Sequence, residues 1–159
     1  MNNLLVGAIA GAAGTIALDV ASYTDMAARG RPASDMPAEV VRRIAERTGV
    51  SALARSPEQS SDGTKARRSA LGALSGYAVG LGIGMMYGLA RPFVRPVPLA
   101  VSAFAVGGIA MLATDMPASK LRATDLSTWG VSGWLSDAIP HAIYGLTVAI
   151  VFEALSREG

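Results

Sequence analysis

Four apolar runs dominate this chain, at roughly Leu4 to Met26, Ser69 to Ala90, Pro98 to Met116 and Val131 to Leu155. A bilayer-spanning helix needs about 20 apolar residues, so each run is long enough to cross. Together they occupy over half of the 159 residues and leave room only for loops and short termini. Composition agrees, with 51% hydrophobic residues, 16% charged residues and a mean hydropathy of +0.38, against about 25% charged in a soluble domain. The expected fold is therefore all-α, an integral-membrane four-helix bundle forming a single domain over residues 1–159. The first run resembles a secretory signal in length, but no Lys or Arg precedes it and its apolar character continues past Asp19, so it is expected to be a retained helix.

The basic residues are unevenly spread. Nine of the fourteen Lys and Arg lie between Arg29 and Arg68, and Lys120 and Arg122 lie in the third loop; Arg91, Arg95 and Arg157 fall on the other side. This is the bias of cytoplasmic loops rather than of a nucleic-acid-binding surface. It places loops 27–68 and 117–130 in the cytoplasm and both termini outside, in a multi-pass protein of the plasma (inner) membrane. Trp129 and Trp134 then sit near the cytoplasmic interface. No cysteine is present, which excludes disulfides and thiolate chemistry; a single histidine excludes bis-histidine haem ligation within the chain.

Inside the first loop, Ser34 or Asp35 can cap a helix over about 35–48 with Pro37 in its first turn. Its register separates Val40, Val41, Ile44 and Ala45 from Arg42, Arg43, Glu46 and Arg47, the pattern of an amphipathic interfacial helix. Arg42, Arg43 and Arg47 are candidate contacts to lipid headgroups. Residues 50–66, with Ser56-Pro57-Glu58-Gln59-Ser60-Ser61-Asp62-Gly63 at their centre, have the composition of a flexible linker.

The halves resemble one another. At an offset of 90, residues 24–36 and 114–126 share six identities in thirteen positions, including Asp25 with Asp115 and Asp35 with Asp125. At an offset of 64, Leu71, Tyr77 and Ala78 face Leu135, His141 and Ala142. This predicts a 2+2 internal repeat of parallel hairpins about an axis along the membrane normal.

Glycine marks the packing faces. Gly72, Gly76, Gly80, Gly84 and Gly88 recur every fourth residue, joined by Gly7, Gly11 and Gly14 in the first run and Gly107 in the third. Such spacing lets backbones approach closely, either within one bundle or in a homo-oligomeric seam. The intramembrane polar residues are the candidates for chemistry. Asp19 lies inside the first run, where an unpartnered carboxylate costs about 3 kcal/mol or more, so protonation, Thr15, Tyr77 or His141 must stabilise it. Asp137, His141, Gly145, Ala149 and Glu153 form one stripe at four-residue spacing. Asp137 can orient His141 or exchange a proton with it, and Pro140 can free a carbonyl there. Asp115 and Asp25 are expected to end their helices, the former helped by Pro117. Asp19, Asp115, Asp137 and His141, with Tyr77, are the candidate ion or proton pathway. A metal held by His141 and carboxylates is chemically reasonable, but scattered acids do not define one, and neither metal nor cofactor is expected.

Gly11-Ala12-Ala13-Gly14-Thr15 with Asp19, Asp25-Met26, Arg29 to Ser34, Trp134 to Asp137, Pro140-His141 and Tyr144-Gly145 resemble a group of small actinobacterial membrane proteins catalogued as uncharacterised. A remoter similarity, in helix count and glycine-rich starts, is to YagU-like inner-membrane proteins. The resemblance implies four membrane helices and carries no activity. No nucleophile elbow, phosphate loop or nucleotide fingerprint is present, so an enzyme is not expected. Two functions remain: association, as a homo-oligomer or accessory subunit in the bilayer, and a proton or cation pathway.

Overall fold

A computed structural model describes residues 2–157. These residues form α1 (Asn3–Arg29), α2 (Met36–Thr48), α3 (Ser51–Ala54), α4 (Asp62–Ala90), α5 (Leu99–Lys120) and α6 (Val131–Arg157), with single 3-10 turns at Pro57–Gln59, Arg91–Val94 and Leu126–Thr128. The helices α1, α4, α5 and α6 are each long and apolar enough to cross a membrane. At 1.5 Å per residue, the 27 residues of α1 rise about 40 Å, more than a hydrocarbon core of about 30 Å.

Three of the four long helices exceed their expected limits, for local reasons. Asp25 does not end α1: it is bridged to Arg29 at i+4 and to Arg31, and the helix runs on to a left-handed cap at Gly30. Nor do Asp115 and Pro117 end α5. Proline removes one helical hydrogen bond, but here it falls in the last turn, and Leu121 N–H still donates to the Pro117 carbonyl. The helix therefore reaches Lys120. Helix α4 begins seven residues before Ser69, at an N-cap where Ser61 Oγ accepts from Thr64 N–H.

The linker expectation over 50–66 is corrected most. That stretch carries α3, a 3-10 turn and the start of α4, and it is pinned from below by buried Arg68, which donates to the carbonyls of Leu53 (2.9 Å) and Arg55 (2.5 Å). A guanidinium that satisfies two loop carbonyls at once fixes a segment whose composition alone signals flexibility.

Helix α1 is the centre of the array, packed on α4 along one side and α6 along the other, and α5 packs on α6. The pairings α1/α4, α1/α6 and α5/α6 are antiparallel: Gly7 meets Gly84 and Gly11 meets Gly80, Gly14 meets Tyr144 and Val148, and Gly107 meets His141. At one end α4 approaches α5, joined to it by the Arg91–Val94 turn. At the other end α2 lies against α4 and reaches the end of α5, with Pro37 on Gly72 and Arg47 donating to the Lys120 carbonyl (3.4 Å). The apolar core runs from Val6 and Ala10 through Tyr144 and Val148 to Tyr87 and Phe152.

Candidate functional site

Sequence spacing puts the α6 stripe on one face, and that face meets α5. A Cβ added to Gly145 would collide with the Ala103 carbonyl and Gly107 backbone; one added to Gly107 would strike the His141 backbone. The seam is closed by glycine-to-backbone contact through the middle of the bundle. Toward Lys120 it changes character. Asp115, 3% exposed, faces Asp137 across the seam. Thr114 Oγ1 donates weakly to Asp115 Oδ1 (3.5 Å), and Asp137 Oδ2 is buried with no donor. Two ionised carboxyls facing one another offer only acceptors, so a proton held between them would supply the missing donor.

His141 stands one turn beyond Asp137. Its Nδ1 lies 2.8 Å from the Asp137 carbonyl and 3.4 Å from Asp137 Oδ1. A carbonyl only accepts, so Nδ1 carries the hydrogen and Nε2 is the nitrogen left to take or release a proton. Asp115, Asp137 and His141 are therefore brought together as expected. The other pathway candidates are not. Asp19 accepts from Tyr77 hydroxyl at 2.8 Å, one of the stabilising partners its sequence position called for, but this pair sits on the outer side of α1 and α4, with Tyr77 42% exposed. No hydrogen bond or ion pair links Asp19 to the α5/α6 cluster among the described residues.

At the opposite end of the same seam lies a second polar group that the sequence reading passed over. The Tyr87 hydroxyl and Ser102 Oγ are buried without hydrogen-bond partners, and near them Arg91 bridges Glu153 at 2.6 Å. Tyr87 also stacks edge-on to Phe152, with centroids 5.3 Å apart. Glu153 belonged to the α6 stripe, but only the approach of α4 to α5 brings Tyr87 and Ser102 to it; neither residue stands out from its apolar neighbours in the sequence.

The glycine faces are used within the chain. Gly7, Gly11, Gly80, Gly84 and Gly88 interlock α1 with α4, Gly14 takes the ring of Tyr144, and the Tyr144 hydroxyl donates to the Gly80 carbonyl (2.6 Å). Gly76 is the departure, facing open space. Four residues turn a helix by about 400°, a drift of about 40° per step, so the stripe starts on α2 at Gly72, passes outward at Gly76 and reaches α1 only from Gly80.

Two of the three candidate arginines of α2 are engaged by carboxylates of the same helix. Arg42 is 8% exposed and held by Glu39 and Glu46; Arg43 bridges Glu39 at 2.8 Å. The Arg42 guanidinium beside Glu39 holds that carboxyl below its ordinary range, and Glu39 raises Arg42 in return. The i,i+3 and i,i+4 spacing of these charges lets them satisfy one another, so Arg42 is not available to a headgroup. Ser34 Oγ, rather than Asp35, accepts from Met36 N–H at the start of this helix. Trp129 and Trp134 stack edge-on at 5.2 Å, and Trp129 donates to Thr124 Oγ1.

No cluster of three or more His, Asp or Glu suited to a metal occurs among the described residues. Comparison with protein-family models, with curated proteins and with solved structures returns no match.

Proposed function

We propose that this chain is a non-enzymatic, multi-pass protein of the plasma membrane that moves protons through the α5/α6 half of its bundle. The observation that carries the reading is the Asp115–Asp137 carboxyl pair, buried between two membrane-length helices with His141 one turn away. An intramembrane carboxyl is costly and is retained where it works. The Tyr87, Ser102 and Glu153 group supports it from the other end. From Asp137 to Glu153 α6 rises about 24 Å, so the two polar ends flank most of the hydrocarbon core, and the Gly107–Gly145 contact between them is the barrier that must open for water and a proton to pass. Buried polar atoms without partners are the places where such water is held.

The topology adopted here keeps loops 27–68 and 117–130 cytoplasmic and both termini outside, on the charge bias, with α2 resting at the cytoplasmic surface. The repeat reading is supported by two antiparallel hairpins and by Tyr144 meeting Gly80, residues 64 apart that the repeat makes equivalent.

Proton flux into liposomes containing the purified protein tests the reading. Flux that falls in Asp115→Asn, Asp137→Asn and His141→Ala is expected. Flux no greater than in empty liposomes, from folded protein, would sink it.

One observation favours association as a second reading: the Asp19–Tyr77 pair lies on an outward face among apolar neighbours, where a covering helix from another copy or subunit would shield it from lipid. Asp19→Asn should then weaken the oligomer measured by crosslinking in membranes while leaving proton flux unchanged.

A further inference from the structure

The end of the bundle farther from α2 has three arginines, and among the described residues two of them have no carboxylate partner. At the basic end, Arg29 and Arg31 share Asp25, Arg42 and Arg43 share Glu39 and Glu46, and Arg68 is spent on loop carbonyls. At the other end, the start of α1, the Arg91–Val94 turn and the end of α6 surround a cleft of about 390 Å3. Arg91, Arg95 and Arg157 line it, with Asn3, Glu153 and Ser156. Glu153 is already engaged by Arg91, which also donates to the Val94 carbonyl at 2.8 Å. Among the described residues no carboxylate pairs with Arg95 or Arg157. The cleft thus sets two guanidiniums without a carboxylate partner among the described residues beside a third that Glu153 engages, and adds the positive end of α1, which starts at Asn3.

Guanidinium forks match the oxygens of a phosphate, and several around one cleft select for it over a monovalent anion of small size. The volume lies within the range of ligand pockets, about 300–1,000 Å3, and exceeds what a bare phosphate needs. Pro92 and Phe152 form an apolar wall, and Phe93, 86% exposed, stands on the adjoining turn at the rim, where an aromatic ring suits the membrane interface. We propose that this cleft binds a phosphate group, presented in the membrane as the headgroup of an anionic phospholipid. This headgroup contact lies at the end opposite the one expected at α2. The inference stands apart from the proton reading, since it uses no residue of the acid pair.

The test uses the full-length protein in detergent, with phosphatidylglycerol, phosphatidylcholine or inorganic phosphate added. Retained lipid is counted by native mass spectrometry and thermal stability is followed in parallel. Arg95→Gln with Arg157→Gln should weaken phosphatidylglycerol retention at least about tenfold, as expected for two lost charged hydrogen bonds, with the melting temperature in the absence of lipid unchanged. Arg67→Gln, an exposed cation at the other end, should leave retention as it was. Stabilisation by inorganic phosphate that depends on the same two arginines, without selective lipid retention, would keep the phosphate site and overturn its lipid source. Phosphatidylglycerol retention equal in the double variant and the parent, with no phosphate effect, would overturn the proposal.

Discussion

The α1/α4 and α5/α6 seams are built by one device and end differently. Both bring backbones together through glycine, Gly7 and Gly11 against Gly80 and Gly84 in one case, Gly107 against Gly145 in the other. The first carries that contact over about three turns of α1, and the hydroxyls of Thr15 and Tyr144 beside it are satisfied by the carbonyls of Gly11 and Gly80. The second gives way toward Lys120 to Asp115, Asp137 and His141, and its far end holds partnerless hydroxyls. Close packing in lipid gains van der Waals contact and leaves no room for water. A seam closed throughout holds the bundle together, and one that is closed only in its middle can hold protons at both ends.

The comparison is broken most severely at Gly84. A side chain there collides with the backbone of Gly7 and Gly11, so Gly84→Leu should destabilise by roughly 3 kcal/mol or more, or prevent folding, as read by thermal unfolding in detergent. Gly76→Leu, in the same stripe but facing open space, should stay within about 0.5 kcal/mol of the parent. Equal losses in the two variants would mean that the α1/α4 contact does not carry stability.

In the other seam the larger effect should fall on function. Asp115→Asn should lower proton flux about tenfold or more, the range in which proton-transfer groups act, with little change in unfolding temperature. A large loss of stability with flux per folded molecule preserved would make the acid pair structural.

Outside both seams, Arg68→Gln should release the 50–61 segment, since two part-buried carbonyls lose their donor, at a cost of about 1 kcal/mol. Faster limited proteolysis confined to that segment is the expected sign, and unchanged cleavage would refute the pinning role.

The smallest effect concerns α2. Arg42 holds the Glu39 carboxyl below its ordinary 4.5, so the folded state keeps Glu39 ionised where the unfolded chain would begin to protonate it. That contribution is full above pH 4.5 and is lost as pH falls through the lower folded value. Because Glu39 is about a quarter exposed, solvent screening limits it to well under 1 kcal/mol. The protection of α2 amides relative to their intrinsic exchange rates should fall below about pH 4.5 and be flat above it, and Glu39→Gln should abolish the difference.

Much of this was legible in the residues themselves. The four long helices follow from apolar run length, because lipid forces each backbone to satisfy its own hydrogen bonds, and the amphipathic α2 follows from its period. The alignment of Asp137, His141, Gly145 and Glu153 on one face follows from helical geometry. Local pattern misled where a distant group supplied a partner: residues 50–66 read as a linker until Arg68 is seen to reach them, and Arg42 read as a lipid contact although Glu39 and Glu46 were within its helical reach.

What the tertiary structure alone decided is which faces meet. Periodicity places Gly76 and Gly80 on one stripe, but only the crossing of α1 over α4 determines that Gly80 is buried and Gly76 open. Likewise nothing in spacing pairs Asp19 with Tyr77 rather than His141, or joins Asp115 to Asp137 across a helix pair. Helix formation in a membrane is dictated residue by residue through the backbone, whereas partner choice depends on close contacts between segments far apart in the chain, where a glycine on one helix is meaningful only through the backbone that approaches it.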